Sequence, residues 1–190
     1  MAVHIALNEV GEKYELEKVN LADKKTESGA DFLDINPRGY VPALQLNNGE
    51  YLTEVSALLQ YIADSNPDKN LLPPVGDGAR YRVLEVMNYI STELHKNFGP
   101  LFNPASSDET RKETLELINK RLDVLNTRLA NLQYLTGEQF TIADAYLTTV
   151  LGWTAFLEMD LSPWPNLGAY MGRAMSRPSV QKTMQQEGLS

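Results

Sequence analysis

Downstream of Phe140 the chain encodes a helix with almost no polar face: Ile142, Ala143, Ala145, Tyr146, Leu147, Val150 and Leu151 follow one another with few interruptions. A helix that is apolar nearly all round belongs at the centre of a bundle. Its start is marked by Thr141-Ile142-Ala143-Asp144, in which Thr141 is placed to accept from a backbone N–H and Asp144 to reach back, a capping box.

The other helices of this half read as a layer around that centre. Val83, Val86, Met87, Ile90 and Leu94 stripe one helix to about Phe98, and Leu115, Ile118, Leu122, Leu125, Leu129 and Leu132 stripe a second, packed as its neighbour. Two more are predicted at 167–177 and 179–187, among Pro163, Pro165 and Pro178. The first third differs. Val3, Ala6, Leu7 and Val10 make a short helix that Gly11 stops, 14–19 reads as a half-polar strand, and 28–35 as a short helix ended by Asn36-Pro37-Arg38-Gly39. Residues 40–46 and 50–53 form a hairpin about Asn47-Asn48-Gly49, and Val55, Leu58, Leu59 and Ile62 stripe a helix over 54–65. The prolines and glycines of 67–78 read as a linker. The expected architecture is an α/β part over 1–66, a linker over 67–78 and an all-α helical bundle over 79–190.

Seventeen Lys and Arg against 25 Asp and Glu give a net charge of −8, which argues against capture of nucleic acid. The absence of cysteine excludes disulfides, Cys-ligated zinc, iron–sulfur clusters and a cysteine nucleophile within this sequence. His4 and His95 are too far apart in sequence for a local zinc motif, so no metal is expected. No apolar run approaches the ~20 residues of a membrane span, and a soluble cytoplasmic protein is expected. Dinucleotide, Walker A and nucleophile-elbow patterns are not matched.

Three places can carry chemistry. Val41-Pro42 interrupts a strand. It is either an ordinary trans proline at a strand start or a cis bond that turns the Val41 amide and carbonyl outward to pair with an extended peptide. Glu54-Val55 opens a helix after a strand, where free N–H groups serve either a cap or a ligand carboxylate. Asn88, Thr92 and His95 fall at i, i+4, i+7, a polar ledge that is either a solvated face or a site whose base is His95. Lys96 and the Lys24-Lys25 pair read as surface cations.

The order of these features, with Asn36-Pro37-Arg38-Gly39-Tyr40-Val41-Pro42-Ala43-Leu44, Leu52-Thr53-Glu54, Thr92-Glu93-Leu94-His95-Lys96 and Phe140-Thr141-Ile142-Ala143-Asp144-Ala145-Tyr146-Leu147, resembles the glutathione S-transferases, and most closely the bacterial beta-class enzymes. The resemblance implies a thioredoxin-like first domain that holds glutathione, a helical second domain that offers the electrophile site, and a homodimer. By position Lys24, Val41, Pro42, Glu54 and Val55 correspond to glutathione contacts, with Val41 pairing its backbone to the tripeptide's cysteine and Glu54 and Val55 holding its γ-glutamyl end. Asn88, Thr92, Glu93 and His95 match residues facing the site, some from the partner subunit, and His95 and Lys96 match residues that assist catalysis.

The family pattern also includes a strand and a turn carrying Cys, Ser or Tyr beside the glutathione sulfur, ahead of the helix that here begins at Ala2 or Val3. About ten residues, some 33 Å of extended chain, are not in this sequence, and the first strand of the sheet is expected to be missing. The strands that would flank it, 14–19 and 43–46, are left with unpaired edges. The expected activity is conjugation of the glutathione thiolate to small electrophiles, a detoxification chemistry; the alternative is a non-catalytic glutathione-transferase-like binding or interaction protein.

Overall fold

A computed structural model describes residues 1–189. In chain order the elements are α1 (Ala2–Val10), β1 (Val19–Asn20), β2 (Lys25–Thr26), α2 (Phe32–Ile35), β3 (Ala43–Gln45), β4 (Tyr51–Thr53), α3 (Val55–Ser65), α4 (Gly78–Tyr89), α5 (Gly99–Phe102), α6 (Asp108–Arg128), α7 (Ile142–Phe156), α8 (Pro165–Met175) and α9 (Pro178–Glu187). This is a small mixed α/β part followed by an all-helical one.

The expected centre is where the patterning put it. α7 packs on α1, α3, α4 and α8, and Ile142, Ala143, Leu147, Val150 and Leu151 are fully buried. Starting a helix inside a protein leaves its first N–H groups without water, and Asp144 resolves this. Its Oδ2 accepts from the Thr141 N–H at 2.8 Å and the Thr141 hydroxyl at 2.9 Å, and its Oδ1 from the Leu135 N–H at 2.9 Å. The Tyr170 hydroxyl donates to the Asp144 carbonyl at 3.1 Å, fastening α8 to the same turn.

α1 ends as expected at Gly11, whose left-handed backbone (φ 77°) returns its N–H to the Leu7 carbonyl. Buried on α3, α7 and α9, α1 is clamped by Arg177, whose guanidinium takes both Glu9 carboxylate oxygens at 2.7 and 2.8 Å and lies 4.2 Å above the Phe140 ring. Arg80, also buried, takes both Asp64 oxygens at 2.8 Å and the Pro73 carbonyl at 3.0 Å, joining α3, the connecting segment and α4.

Three expectations are corrected. Residues 14–18 are not strand. Only Val19–Asn20 is, paired antiparallel with Lys25–Thr26, because 14–18 have no ladder partner and Tyr14 instead directs its hydroxyl to Asn8 and Gln186. The helix expected over 28–35 shrinks to α2, since Gly29 (φ 92°) and Ala30 close a turn on Thr26, and Asp31 then caps the short helix that begins at Phe32. The helix expected to run to Phe98 changes character at Ile90, with a π turn over Ile90–His95 and a tight turn over Lys96–Phe98. α6 accordingly packs against this irregular continuation and α5.

The hairpin is as expected, with Ala43↔Thr53, Leu44↔Leu52 and Gln45↔Tyr51 in register. The β1–β2 and β3–β4 pairs are not hydrogen-bonded to each other.

Burial pushes the Asp144 carboxyl up to about 6, against the pull of the Leu135 and Thr141 N–H groups and the Thr141 and Tyr170 hydroxyls. The folded state therefore holds a proton between about pH 4 and 6 that the unfolded chain has released, and this group's contribution to stability falls as pH rises through that window. Asp144→Ala orphans two buried N–H groups at about 1–3 kcal/mol each and is expected to lower the urea midpoint correspondingly. Asp144→Asn, with no proton to lose, is expected to remove the decline between pH 4 and 6 relative to the parent chain.

Candidate active site

The β1–β2 and β3–β4 pairs face a cleft of about 2640 Å³ that is also lined by Met1, by Val3, His4 and Leu7 of α1, and by His95, Tyr146 and Trp153. Val41, Pro42 and Val55 line it together with His95; these are four of the residues expected to form a site.

The Val41–Pro42 peptide is cis, which resolves the open alternative at that position, and Val41 is exposed beside the free edge of β3. The approach to it is shaped by Gly39, whose φ of 67° favours glycine; a Cβ there would meet Leu33 Cδ2 and Lys24 Cε at 3.3 Å. Lys24 lies across this turn and donates from Nζ to the Gly39 carbonyl at 2.9 Å. Lys24 thus buttresses the loop that presents Val41.

Glu54 occupies the single residue between β4 and α3 with φ 69° and ψ 118°, a conformation that costs a non-glycine residue about 1–3 kcal/mol. Its side chain does not cap α3. The sharp junction leaves the first N–H groups of α3 open, a ready anion site, and the Glu54 carboxylate meets Arg38 at 3.0 Å on the exposed rim.

The expected ledge separates into two faces. A π turn holds one residue more than an α turn, so His95 is rotated relative to the spacing of an uninterrupted helix. It turns into the protein while Asn88 and Thr92 stay exposed. Thr92 donates its hydroxyl to the Asn88 carbonyl at 3.1 Å, and the Glu93 carboxylate is held by Arg121 at 2.7 Å. Asn88, Thr92, Glu93 and Lys96, like Lys24 and Glu54, are not among the residues lining the cleft.

His95 is half-buried. Its Nδ1 is 2.7 Å from the Tyr146 hydroxyl, and its ring stands edge-on to Trp153 at 4.7 Å. Burial, and then the Lys96 cation, hold the imidazole below its ordinary value of 6.5, so the ring is neutral at pH 7. Trp153 also meets Phe98 and Phe102 edge-on at 5.6 and 5.5 Å. These residues, with Gly99 and Phe156, line an apolar nook of about 390 Å³ that opens beside His95.

Sequence reasoning missed Tyr146, Trp153, Phe102, Phe156 and Arg38. One signal was available: a tyrosine in a largely apolar helix needs a partner for its hydroxyl. Among the described residues no cluster of His, Asp or Glu suits a metal ion, and no helix is long and apolar enough to cross a membrane.

A cis proline at the free edge of β3 and an open helix start on a small α/β part thus face a helical bundle that carries an aromatic pocket. The chain matches the glutathione S-transferase N-terminal domain over residues 1–65 and the C-terminal domain over 89–178. It is 43% identical to a glutathione S-transferase of Escherichia coli O157:H7 over 189 residues, covering 100% of this chain and 94% of that protein. A sphingomonad glutathione S-transferase complexed with glutathione is 46% identical at a TM-score of 0.96, with 100% of this chain and 94% of that one covered. The beta-class enzyme of Sphingomonas chungbukensis gives the same 46%, 0.96 and coverage. The chain belongs to the glutathione S-transferase family.

Titration of His95 by NMR is expected to give a midpoint below 6.5, and Lys96→Met to raise it by removing the neighbouring cation.

Proposed function

We propose that this chain is an enzyme that holds glutathione along the Val41 edge of the cleft and conjugates it, through its thiolate, to a small electrophile seated in the aromatic nook. The observation that carries the reading is that His95 lines both cavities, and so stands where a thiol entering from one meets a carbon entering from the other. Membership of the family, with a named transferase similar over the full chain, favours this over the non-catalytic alternative.

In the proposed arrangement the exposed Val41 backbone, with Pro42 fixing its direction, pairs with the tripeptide as an added strand. The amides of Val55 and the α3 start receive the γ-glutamyl carboxylate, Glu54 its ammonium, and Lys24 acts through the Gly39 turn. Asn88, Thr92 and Glu93 do not line the cleft of their own chain, which suits contacts made to a partner's glutathione in a two-fold homodimer. The division at 67–78, a cytoplasmic location and a role in detoxification belong to the same reading.

A thiol with a pKa near 8.5 is only a few per cent ionised at pH 7, so the site must favour S⁻. A neutral His95 donating an N–H, with the Lys96 cation behind it, does so. The thiolate then forms the C–S bond as the electrophile's leaving group departs or its double bond takes up the electron pair.

Titrating glutathione into the protein near pH 7 while recording the ultraviolet absorbance of the thiolate is expected to show a saturable excess over free glutathione. Glu54→Ala is expected to weaken that saturation roughly tenfold, about 1.4 kcal/mol, and His95→Ala to keep binding but lose the excess. Binding without any excess in the parent chain favours the non-catalytic alternative. Sedimentation is expected to give a species of twice the chain mass.

A further inference from the structure

The imidazole of His95 has two nitrogens, and a neutral ring carries one proton between them. Nδ1 faces the Tyr146 hydroxyl at 2.7 Å, which leaves Nε2 for the cleft that the ring lines. If the proton sits on Nδ1, the cleft meets a lone pair that repels a thiolate; if it sits on Nε2, the cleft meets a donor. What decides between them is the direction of the Tyr146–His95 hydrogen bond.

Two features fix that direction. Tyr146 is 3% exposed, and burial, with the Glu54 carboxylate adding to it, holds the phenol above its ordinary value, so the hydroxyl keeps its proton. A phenol O–H is a strong donor and its oxygen a weak acceptor, whereas the bare nitrogen of a neutral imidazole is the better acceptor of the two, so across 2.7 Å the Tyr146 proton goes to His95 Nδ1. Trp153, edge-on to the imidazole at 4.7 Å and 80°, opposes rotation of the ring out of this arrangement.

We propose that Tyr146 is a positioning residue that locks His95 as the Nε2–H tautomer and so makes it a hydrogen-bond donor to whatever anion occupies the cleft. The proposal deepens the reading of His95 as the group that steadies the sulfur, and rests on it for its catalytic consequence, but the tautomer itself does not depend on glutathione.

The chain has only two histidines, so long-range ¹⁵N–¹H NMR of the imidazoles resolves both rings, with His95→Gln assigning the signals. In the unliganded parent protein above the His95 midpoint, the expected spectrum has a protonated Nε2 and an unprotonated, hydrogen-bonded Nδ1. Tyr146→Phe removes one oxygen from the core and is expected to turn this into a mixture of tautomers, with kcat down roughly tenfold, the loss expected for one neutral hydrogen bond. KM for glutathione is expected to stay within about twofold. A protonated Nδ1 in the parent chain overturns the proposal whether or not Tyr146→Phe folds, as does a tautomer ratio that Tyr146→Phe leaves unchanged. An Nε2–H ring in a protein without thiolate excess leaves the proposal standing and overturns the glutathione reading instead.

Discussion

The buried carboxylate of Asp144 is the point from which the rest of this structure hangs. A helix with no polar face is stable only inside the protein, yet its first turn exposes donors that nothing apolar can satisfy. By gathering the Thr141 N–H, the Thr141 hydroxyl and the Leu135 N–H, Asp144 lets α7 begin in the interior. Because α7 is fixed there, Tyr146 and Trp153 are fixed against His95, and α1 and α3 have a surface to pack on.

The two parts of the chain are joined by polar clamps as well as by that apolar surface. Arg80 with Asp64, and Arg177 with Glu9, are bidentate pairs on half-buried ground, a geometry that resists sliding as well as separation. The Ile142 N–H donates to the Leu71 carbonyl at 3.0 Å, so the connecting segment is stitched to the start of the central helix. The cleft therefore has walls that are held at a set spacing. Along it the cleft-side edges of β1 and β3 have no strand partner among the described residues, and such edges are where another extended chain pairs most easily.

Much of this was legible in the sequence because it obeys local rules. The α1 stripe and its glycine stop, the Asn48-Gly49 hairpin, the capping box and the apolar α7 each arise from periodicity or turn chemistry within a dozen residues. The strand expected at 14–19 failed because strands are defined by their partners, and among the described residues 14–18 have none, Tyr14 turning instead to Asn8 and Gln186. The α2 region was overestimated because side-chain hydrogen bonds from Thr26 and Asp31 compete with helix. At the site, Val41, Val55 and His95 were legible, whereas the Arg38–Glu54 and His95–Tyr146 contacts were not: the second spans 51 residues of sequence, and no local pattern encodes it.

The π turn at Ile90–His95 has a consequence for how such a site arises and is lost. A π turn is what a helix forms when it carries one residue more than its regular ladder can absorb. The orientation of His95 toward Tyr146 is thus a property of residue count in this stretch as much as of residue identity. Removing any one residue between Tyr89 and Leu94 would let the ladder close as a regular α-helix, a gain in regularity, while carrying the imidazole about a quarter-turn away from the cleft. Chains that keep every site residue but differ here by a single-residue deletion would share the fold and lack the constellation, a distinction visible only in the spacing of the alignment.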